Sequence, residues 1–447
     1  MVRKLVREKL GKANRDVHFL ELLKGSSISF VLKIFGMGAG YALTWYISEY
    51  YGAIVLGKYV LALIVLQVFS MFGKAGLDIA LLRFIASFSA QEKWGMLRNA
   101  YQKSVALTLI LSTLSVFVMY FFGGQLLTLL KDLNDAYLNW AMLFVIPMSI
   151  YFIHVQCFRA FKKIKQFSFY MNVALPLFTL LFLLYFTNYP VAIETELLPF
   201  VSYGLAILLT VSLLLISWTK TILSYRSAIY EEISYKLLLS TSLPLLLSQS
   251  MSLIIGWTDQ IMLGTMATAQ DVGVYNVAFK FSLLPTVVLM AINSIATPKF
   301  AEFFGKGDLE GLEKMTKQST KMIFWFSVPA SVLIILFRDY LLGFFPDEFA
   351  SASLIMLVLI IGQLVNSVVG SVGYILQMTG HQLICQNILI VSAIMNVVLN
   401  LVLIPEFGIL GAALASMSSM VFQNVTMMLY IRKRLGFYTM YLPFFNK

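Results

Sequence analysis

Apolar residues fill this chain in about a dozen blocks, most of them close to 20 residues long, separated by short polar stretches. About 20 apolar residues cross the ~30 Å hydrocarbon layer of a bilayer as a helix. The blocks predict spans at 26–48, 55–86, 102–124, 136–158, 167–187, 197–218, 237–263, 274–297, 319–338, 349–376, 384–404 and 408–431. The block at 55–86 exceeds one bilayer thickness and is expected to project from the membrane as helix. A polar segment, Lys220 to Lys236, separates the first six spans from the last six. The expected fold class is all-α integral membrane, with about 12 transmembrane helices in two parallel-repeat six-helix lobes around a central cavity. The lobes would cover 1–219 and 237–447, with a cytoplasmic linker at 220–236.

The two sets of spans match in detail. Gly57-Lys58-Tyr59 aligns with Gly273-Val274-Tyr275, Ile79-Ala80 with Ile295-Ala296, and Arg83-Phe84 with Lys299-Phe300, always 216 positions apart. Six spans per half is an even number, so both halves start on the same side of the membrane. They are therefore expected to be parallel repeats about an axis along the membrane normal, a plan that transporters use.

Composition and charge narrow the class. Hydrophobic residues make up 59% of the chain and charged ones 12%, against about 25% charged in ordinary globular proteins. Lysine and arginine crowd the N-terminal arm (Arg3, Lys4, Arg7, Lys9, Lys12, Arg15, Lys24). They crowd the loop after span four (Arg159, Lys162, Lys163, Lys165) and the end of span twelve (Arg432, Lys433, Arg434) as well. Lys58, Lys131 and Arg338 lie on the opposite side. The expected location is the plasma (inner) membrane, and this bias is expected to put both termini of a multi-pass protein in the cytoplasm. It also explains the net charge of +11 without nucleic acid. Cys157 and Cys385 read as packing residues, and His18, His154 and His381 lack metal-ligand spacing. No Gly-Lys-Ser/Thr phosphate loop is present, so direct ATP drive is not expected.

Charges inside spans cost roughly 2.5–3.5 kcal/mol each on insertion scales, so they face a wet cavity or a partner. Lys33, Lys74, Asp78, Asp259 and Lys280 are the candidates, all in the leading spans of the two halves. Lys33 shares a helix face with Ser26, Ser29, Gly36, Gly40 and Thr44; that face suits a cavity wall or helix packing with Lys33 snorkelling. Lys74 and Asp78, four apart, suit a local ion pair. Asp259 shares a stripe with Gln249, Ser252 and Gly256. It either ends its helix in water or faces the cavity, as a coupling-ion or proton carboxylate or as a partner for a lysine. Gln363, Asn366, Gly370, Tyr374 and Gln377 form a polar stripe on span ten, and Asn396 and Asn400 a shorter one on span eleven, each either interhelical glue or sugar contacts. Arg83 and Lys299 suit gate or lipid-headgroup contacts. Pro147, Pro176, Pro244, Pro285 and Pro329 are expected to kink their spans.

Three short runs carry a family resemblance. Tyr51-Gly52 before Gly57-Lys58-Tyr59, Gly76-Leu77-Asp78 running into Leu82-Arg83-Phe84-Ile85-Ala86, and the run from Ile404 to Ala413 resemble the polysaccharide-exporter, or oligosaccharide flippase, family. That family belongs to the multidrug/oligosaccharidyl-lipid/polysaccharide exporter superfamily. The resemblance implies a secondary transporter rather than an enzyme, turning polyprenyl-(di)phosphate-linked oligosaccharide from the cytoplasmic to the outer leaflet for surface-polysaccharide synthesis. Its substrate-binding residues would be Lys33, Lys280, Asp259, Lys74, Asp78, Gln249, Asn366 and Tyr374, with Arg83 and Lys299 at the gates. No cofactor is expected beyond coupling by Na+ or H+. The partners would be membrane lipids and glycan polymerase or ligase machinery, around a monomer. The chain ends soon after span twelve, which favours this substrate over a peptidoglycan precursor. The alternatives are a multidrug or cation exporter of the same superfamily, and a membrane glycosyltransferase or polymerase. The deep lysines disfavour the first, and short external loops disfavour the second.

Overall fold

The computed structural model of the protein describes residues 2–222, 232–441 and 443; the side chains of 2–27, 222, 248, 249 and 251–255 lie outside that description. Most of the linker expected at 220–236 therefore lies outside it as well. The described residues form helices and no strand. In order these are α1 (Val2–Lys74), α2 (Leu77–Ala90), α3 (Trp94–Leu129), α4 (Asp135–Ala160), α5 (Ile164–Ser168), a π-helical turn (Phe169–Ala174), α6 (Leu175–Asn188), α7 (Leu198–Ile222), α8 (Tyr235–Met266), α9 (Ala269–Ser282), α10 (Thr286–Gly305), α11 (Leu309–Leu336), α12 (Arg338–Leu342), α13 (Ala352–Val369), α14 (Val372–Met378), α15 (Gln382–Phe407) and α16 (Ile409–Leu435), with short 3-10 turns at Thr195–Leu197 and Asp347–Phe349. All twelve expected segments fall on these elements. Ten helical stretches among the described residues are long and apolar enough to cross a membrane. The fold is that of an all-α membrane protein.

One of the ten, Ile28–Lys74, runs for 47 residues. A straight helix of that length would reach about 70 Å, more than twice the ~30 Å apolar layer. It is broken at Gly52, where φ is 80° and ψ 175°, a conformation open essentially only to glycine. The chain reverses there, so α1 holds two crossings. The corresponding turn in the second half, 216 positions on, is Ala267-Thr268 between α8 and α9. Thr268 and Asp271 form a capping box that starts α9.

Three predicted spans are interrupted inside. The second breaks at Ala75-Gly76, both left-handed (φ 45° and 74°). The eighth breaks between Ser282 and Thr286, at Pro285, and the tenth at Gly370. The second and eighth breaks are not at equivalent positions, so the repeat does not extend to its bends. Of the prolines, Pro147, Pro244 and Pro329 lie inside helices, while Pro176 follows the π-helical turn.

The halves meet at both ends of the bundle. Far from the termini, the helix after Gly52 crosses α9. A methyl placed on Gly57 would sit 1.7 Å from the Ala269 carbonyl oxygen, and one on Gly273 2.2 Å from that of Ala53. These two contacts are reciprocal under the 216-residue shift, as across a two-fold axis. Toward the termini, a methyl on Gly76 would sit 2.3 Å from the Ser242 oxygen in α8.

Candidate functional site

The structure holds a cavity of about 520 Å³, lined by Lys33, Met290, Asn293, Ser294, Thr297, Pro298 and Tyr374. Lys33 comes from the first crossing of α1, and Tyr374 from α14, beyond the break at Gly370. The other five residues lie along α10, beyond the break at Pro285. The interruptions thus turn polar positions of three elements onto one space.

Lys33 is half-buried as a residue, and its ammonium lies 3.0 Å from the Met290 sulfur in a contact open to solvent. A thioether is a weak acceptor and carries no charge. Asn293 is 2% exposed, and its Oδ1 accepts a hydrogen bond from the Ser371 hydroxyl at the start of α14. Its Nδ2 has no partner. A buried amide donor without a partner costs free energy, and a ligand in the cavity would recover it. The site therefore offers a cation, an unused amide donor, two hydroxyls (Ser294, Thr297) and the half-exposed ring of Tyr374. No carboxylate lines it.

The stripe around Lys33 divides its work. The Ser29 hydroxyl accepts from Ser168 at 2.9 Å, and a methyl on Gly36 would strike the Asn172 oxygen at 2.2 Å, so these positions pack against α5 and the π-helical turn. Thr44 belongs to a second site. Its hydroxyl accepts from the Lys280 ammonium, and the Tyr41 hydroxyl donates to the Lys280 carbonyl. Lys280 is thus pressed between the halves and does not line the Lys33 cavity.

Asp259, 7% exposed, anchors a third cluster. Its Oδ1 accepts from Asn396 (3.1 Å) and Asn400 (2.8 Å), and its Oδ2 from Tyr275 (2.6 Å) and Ser416. These residues come from α8, α9, α15 and α16. The Oδ1 of Asn400 is buried with no partner. Four oxygen-bearing side chains therefore converge on one buried carboxylate.

Lys74 and Asp78 pair at 2.6 Å across the break between α1 and α2, with the Lys74 ammonium 4.4 Å from the Phe152 ring centre. Asn366 donates to Gln363 at 3.3 Å on its own helix. Arg83 and Lys299 are exposed, and Lys299 pairs with Glu302 at 2.9 Å. The side chain of Gln249 lies outside the described residues. Cys157 and Cys385 are free and buried. Among the described residues no group of three His, Cys, Asp or Glu side chains could hold a metal ion. Sequence reasoning did not single out Asn293, Ser294 or Thr297 at the cavity, nor Tyr275 and Ser416 around Asp259. A spacing of three to four through 293, 294 and 297 was the available signal.

A family described as polysaccharide biosynthesis protein matches residues 22–304, and one described as MatE matches residues 244–402. The probable low-salt glycan biosynthesis flippase Agl15 of Haloferax volcanii is 27% identical over 170 residues, 38% of this chain and 36% of that protein. The chain spans about a third of the length of this relative and of the probable flippase AglR from the same organism. An uncharacterised membrane protein of Methanocaldococcus jannaschii is 24% identical over 79% of this chain and 73% of its own length. Among solved structures, the lipid II flippase MurJ in an inward closed conformation has a similar fold, with a TM-score of 0.71 at 15% identity, covering 92% of this chain and 87% of MurJ. An inward-facing multidrug resistance MATE family transporter gives a TM-score of 0.68 at 14% identity, covering 93% of this chain and 94% of the other. The relatives and neighbours named for an activity are flippases and transporters. Matched over more than half of its length, the chain belongs to the polysaccharide biosynthesis protein family.

Proposed function

We propose that this protein is a flippase. It would carry a polyprenyl-(di)phosphate-linked oligosaccharide from the cytoplasmic to the outer leaflet of the plasma membrane by alternating access of two lobes, 1–219 and 237–447. The observation that carries this reading is Lys33. Its ammonium stands at the cavity against a neutral thioether, beside the unused Asn293 amide donor. A phosphate-bearing headgroup supplies the missing anion and acceptor, and a fixed cation in low dielectric offsets the cost of moving that charge through the membrane plane. Hydroxyls and the Tyr374 ring suit sugar hydroxyls and sugar faces. The polyprenyl tail stays in lipid.

The superfamily also exports drugs, and the MatE match keeps that reading in view. A cationic drug would call for a carboxylate on the cavity wall, and the lining residues include none.

The reading is tested in proteoliposomes with a fluorescent lipid-linked oligosaccharide. Lys33→Ala is expected to cut flipping at least tenfold, and Lys33→Arg to retain a substantial part of it. Native flipping by well-folded Lys33→Ala protein would overturn the assignment.

Coupling to Na+ or H+ would act at Asp259. A sodium ion takes oxygen ligands, and Asp259, Asn400 Oδ1, Ser416 and Tyr275 would hold it with small rotations; alternatively a proton would sit on the carboxylate. Asp259→Asn is expected to preserve basal flipping and remove its stimulation by an imposed ion gradient. Stimulation equal to the unmodified protein would rule the site out.

A further inference from the structure

We propose that Asp132 and Glu348 are paired latches that hold the two halves together at the end of the bundle far from the termini. Each carboxylate belongs to one half and caps a helix of the other. Ala53 carries the first backbone N–H after the break at Gly52, and Glu348 Oε1 accepts its hydrogen bond. Ala269 carries the first N–H of α9, and Asp132 Oδ2 accepts it. The opening N–H groups of a helix have no partner within the helix, and a carboxylate there also meets the favourable end of the helix dipole. The capping box of α9 serves the N–H groups of Thr268 and Asp271, which leaves that of Ala269 to Asp132.

The two caps are one device used twice. Glu348 lies 216 positions after Asp132, and Ala269 lies 216 after Ala53. The same shift relates the interlocking glycines Gly57 and Gly273. A third link across the halves, from the Trp45 indole N–H to the Phe344 carbonyl at 2.7 Å, joins this end as well. Other acidic residues there bond within their own half. Glu196 pairs with Lys58 at 2.7 Å and accepts from Asn134, and Asp339 accepts from Ser353.

The consequence is conformational. Neither cap contributes to the internal fold of the half that supplies it, and neither can persist once that end parts. Opening the far end therefore breaks both caps together. Asp132 and Glu348 weight the closed state against the open one and leave the substrate cavity untouched. The inference rests on alternating access for the motion and does not depend on what is carried.

Spin labels at Tyr189→Cys and Tyr340→Cys test it, with Cys157 and Cys385 replaced by alanine and the protein in lipid nanodiscs. Both tyrosines are exposed in loops or helix ends at the far end, one in each half. Electron–electron distance measurement should give mostly one short distance in the parent. Losing a cap to alanine should raise the open-to-closed ratio about fivefold, and losing both on the order of twentyfold. Asp132→Asn and Glu348→Gln keep an acceptor and should retain most of the closed population. Glu196→Ala removes a neighbouring carboxylate bonded within one half and should change nothing. An unchanged distribution in the monodisperse double variant would overturn the latch, as would an equal shift in Glu196→Ala. If the double variant cannot be purified, the single alanine variants carry the same test. A shift without any flipping of lipid-linked oligosaccharide would support the latch while removing the substrate reading.

Discussion

Lys33 and Lys280 carry the same charge in different settings. Lys33 faces a cavity, whereas Lys280, on α9, is packed against α1 with the Thr44 hydroxyl as its hydrogen-bond acceptor. Holding an ammonium there against a single hydroxyl is expensive, and replacing buried charge by apolar volume is often neutral or stabilising by about 1–4 kcal/mol. Lys280→Met is therefore expected to raise the melting temperature in detergent by a few degrees while lowering transport. A melting temperature that falls together with transport would identify Lys280 as structural. The sequence shift that pairs the halves sets Lys280 against Ile64 and Asp259 against Leu43, so these ionisable residues have no counterpart in the first half. Periodicity placed Asn396 and Asn400 on one face and Asp259 on another. It could not show that those faces meet, because the contacts join residues 137 and 141 positions apart. Asn293 was missed for a related reason. Its importance comes from an unused amide donor beside a break at Gly370, which is a property of two elements in contact.

At the scale of elements, hydropathy located the ten stretches that are long and apolar enough to cross a membrane among the described residues. It did not find where helices break, since a break depends on single residues. Gly52 permits the reversal inside α1, and Gly76 permits both a left-handed turn and close approach to α8. The two ends of the second crossing thus have opposite duties. Gly57 lets the far end close, and Gly76 lets the end near the termini close. Alanine at Gly57 has no room beside the Ala269 carbonyl, so Gly57→Ala should push the far end apart and lengthen the Tyr189–Tyr340 label distance. Gly76→Ala should leave that distance unchanged or favour the short one. Gly40, where an added methyl group would meet no atom within 4 Å, is the control, and Gly40→Ala should alter neither end. A lengthened distance in Gly76→Ala and none in Gly57→Ala would reverse the assignment of ends.

For the whole molecule, the reciprocal caps constrain topology independently of charge. Ala53 and Ala269 begin equivalent crossings, and both are capped at the same end of the bundle. Inverted repeats would have put them on opposite faces of the membrane, so the halves run parallel. That result fixes the halves relative to each other. Which end faces outward rests on the lysine and arginine bias of the loops. Cysteine accessibility separates the two questions. Tyr189→Cys lies at the far end and Gln166→Cys at the end near the termini, both exposed, while the native Cys157 and Cys385 are buried. A membrane-impermeant thiol reagent added to intact cells is expected to modify Tyr189→Cys directly and Gln166→Cys only after permeabilisation. The opposite pattern would leave the parallel repeat and the caps intact but place the latched end in the cytoplasm. Substrate loaded from the cytoplasm would then meet the closed, cross-capped end first, and outward flipping would have to begin by breaking both caps.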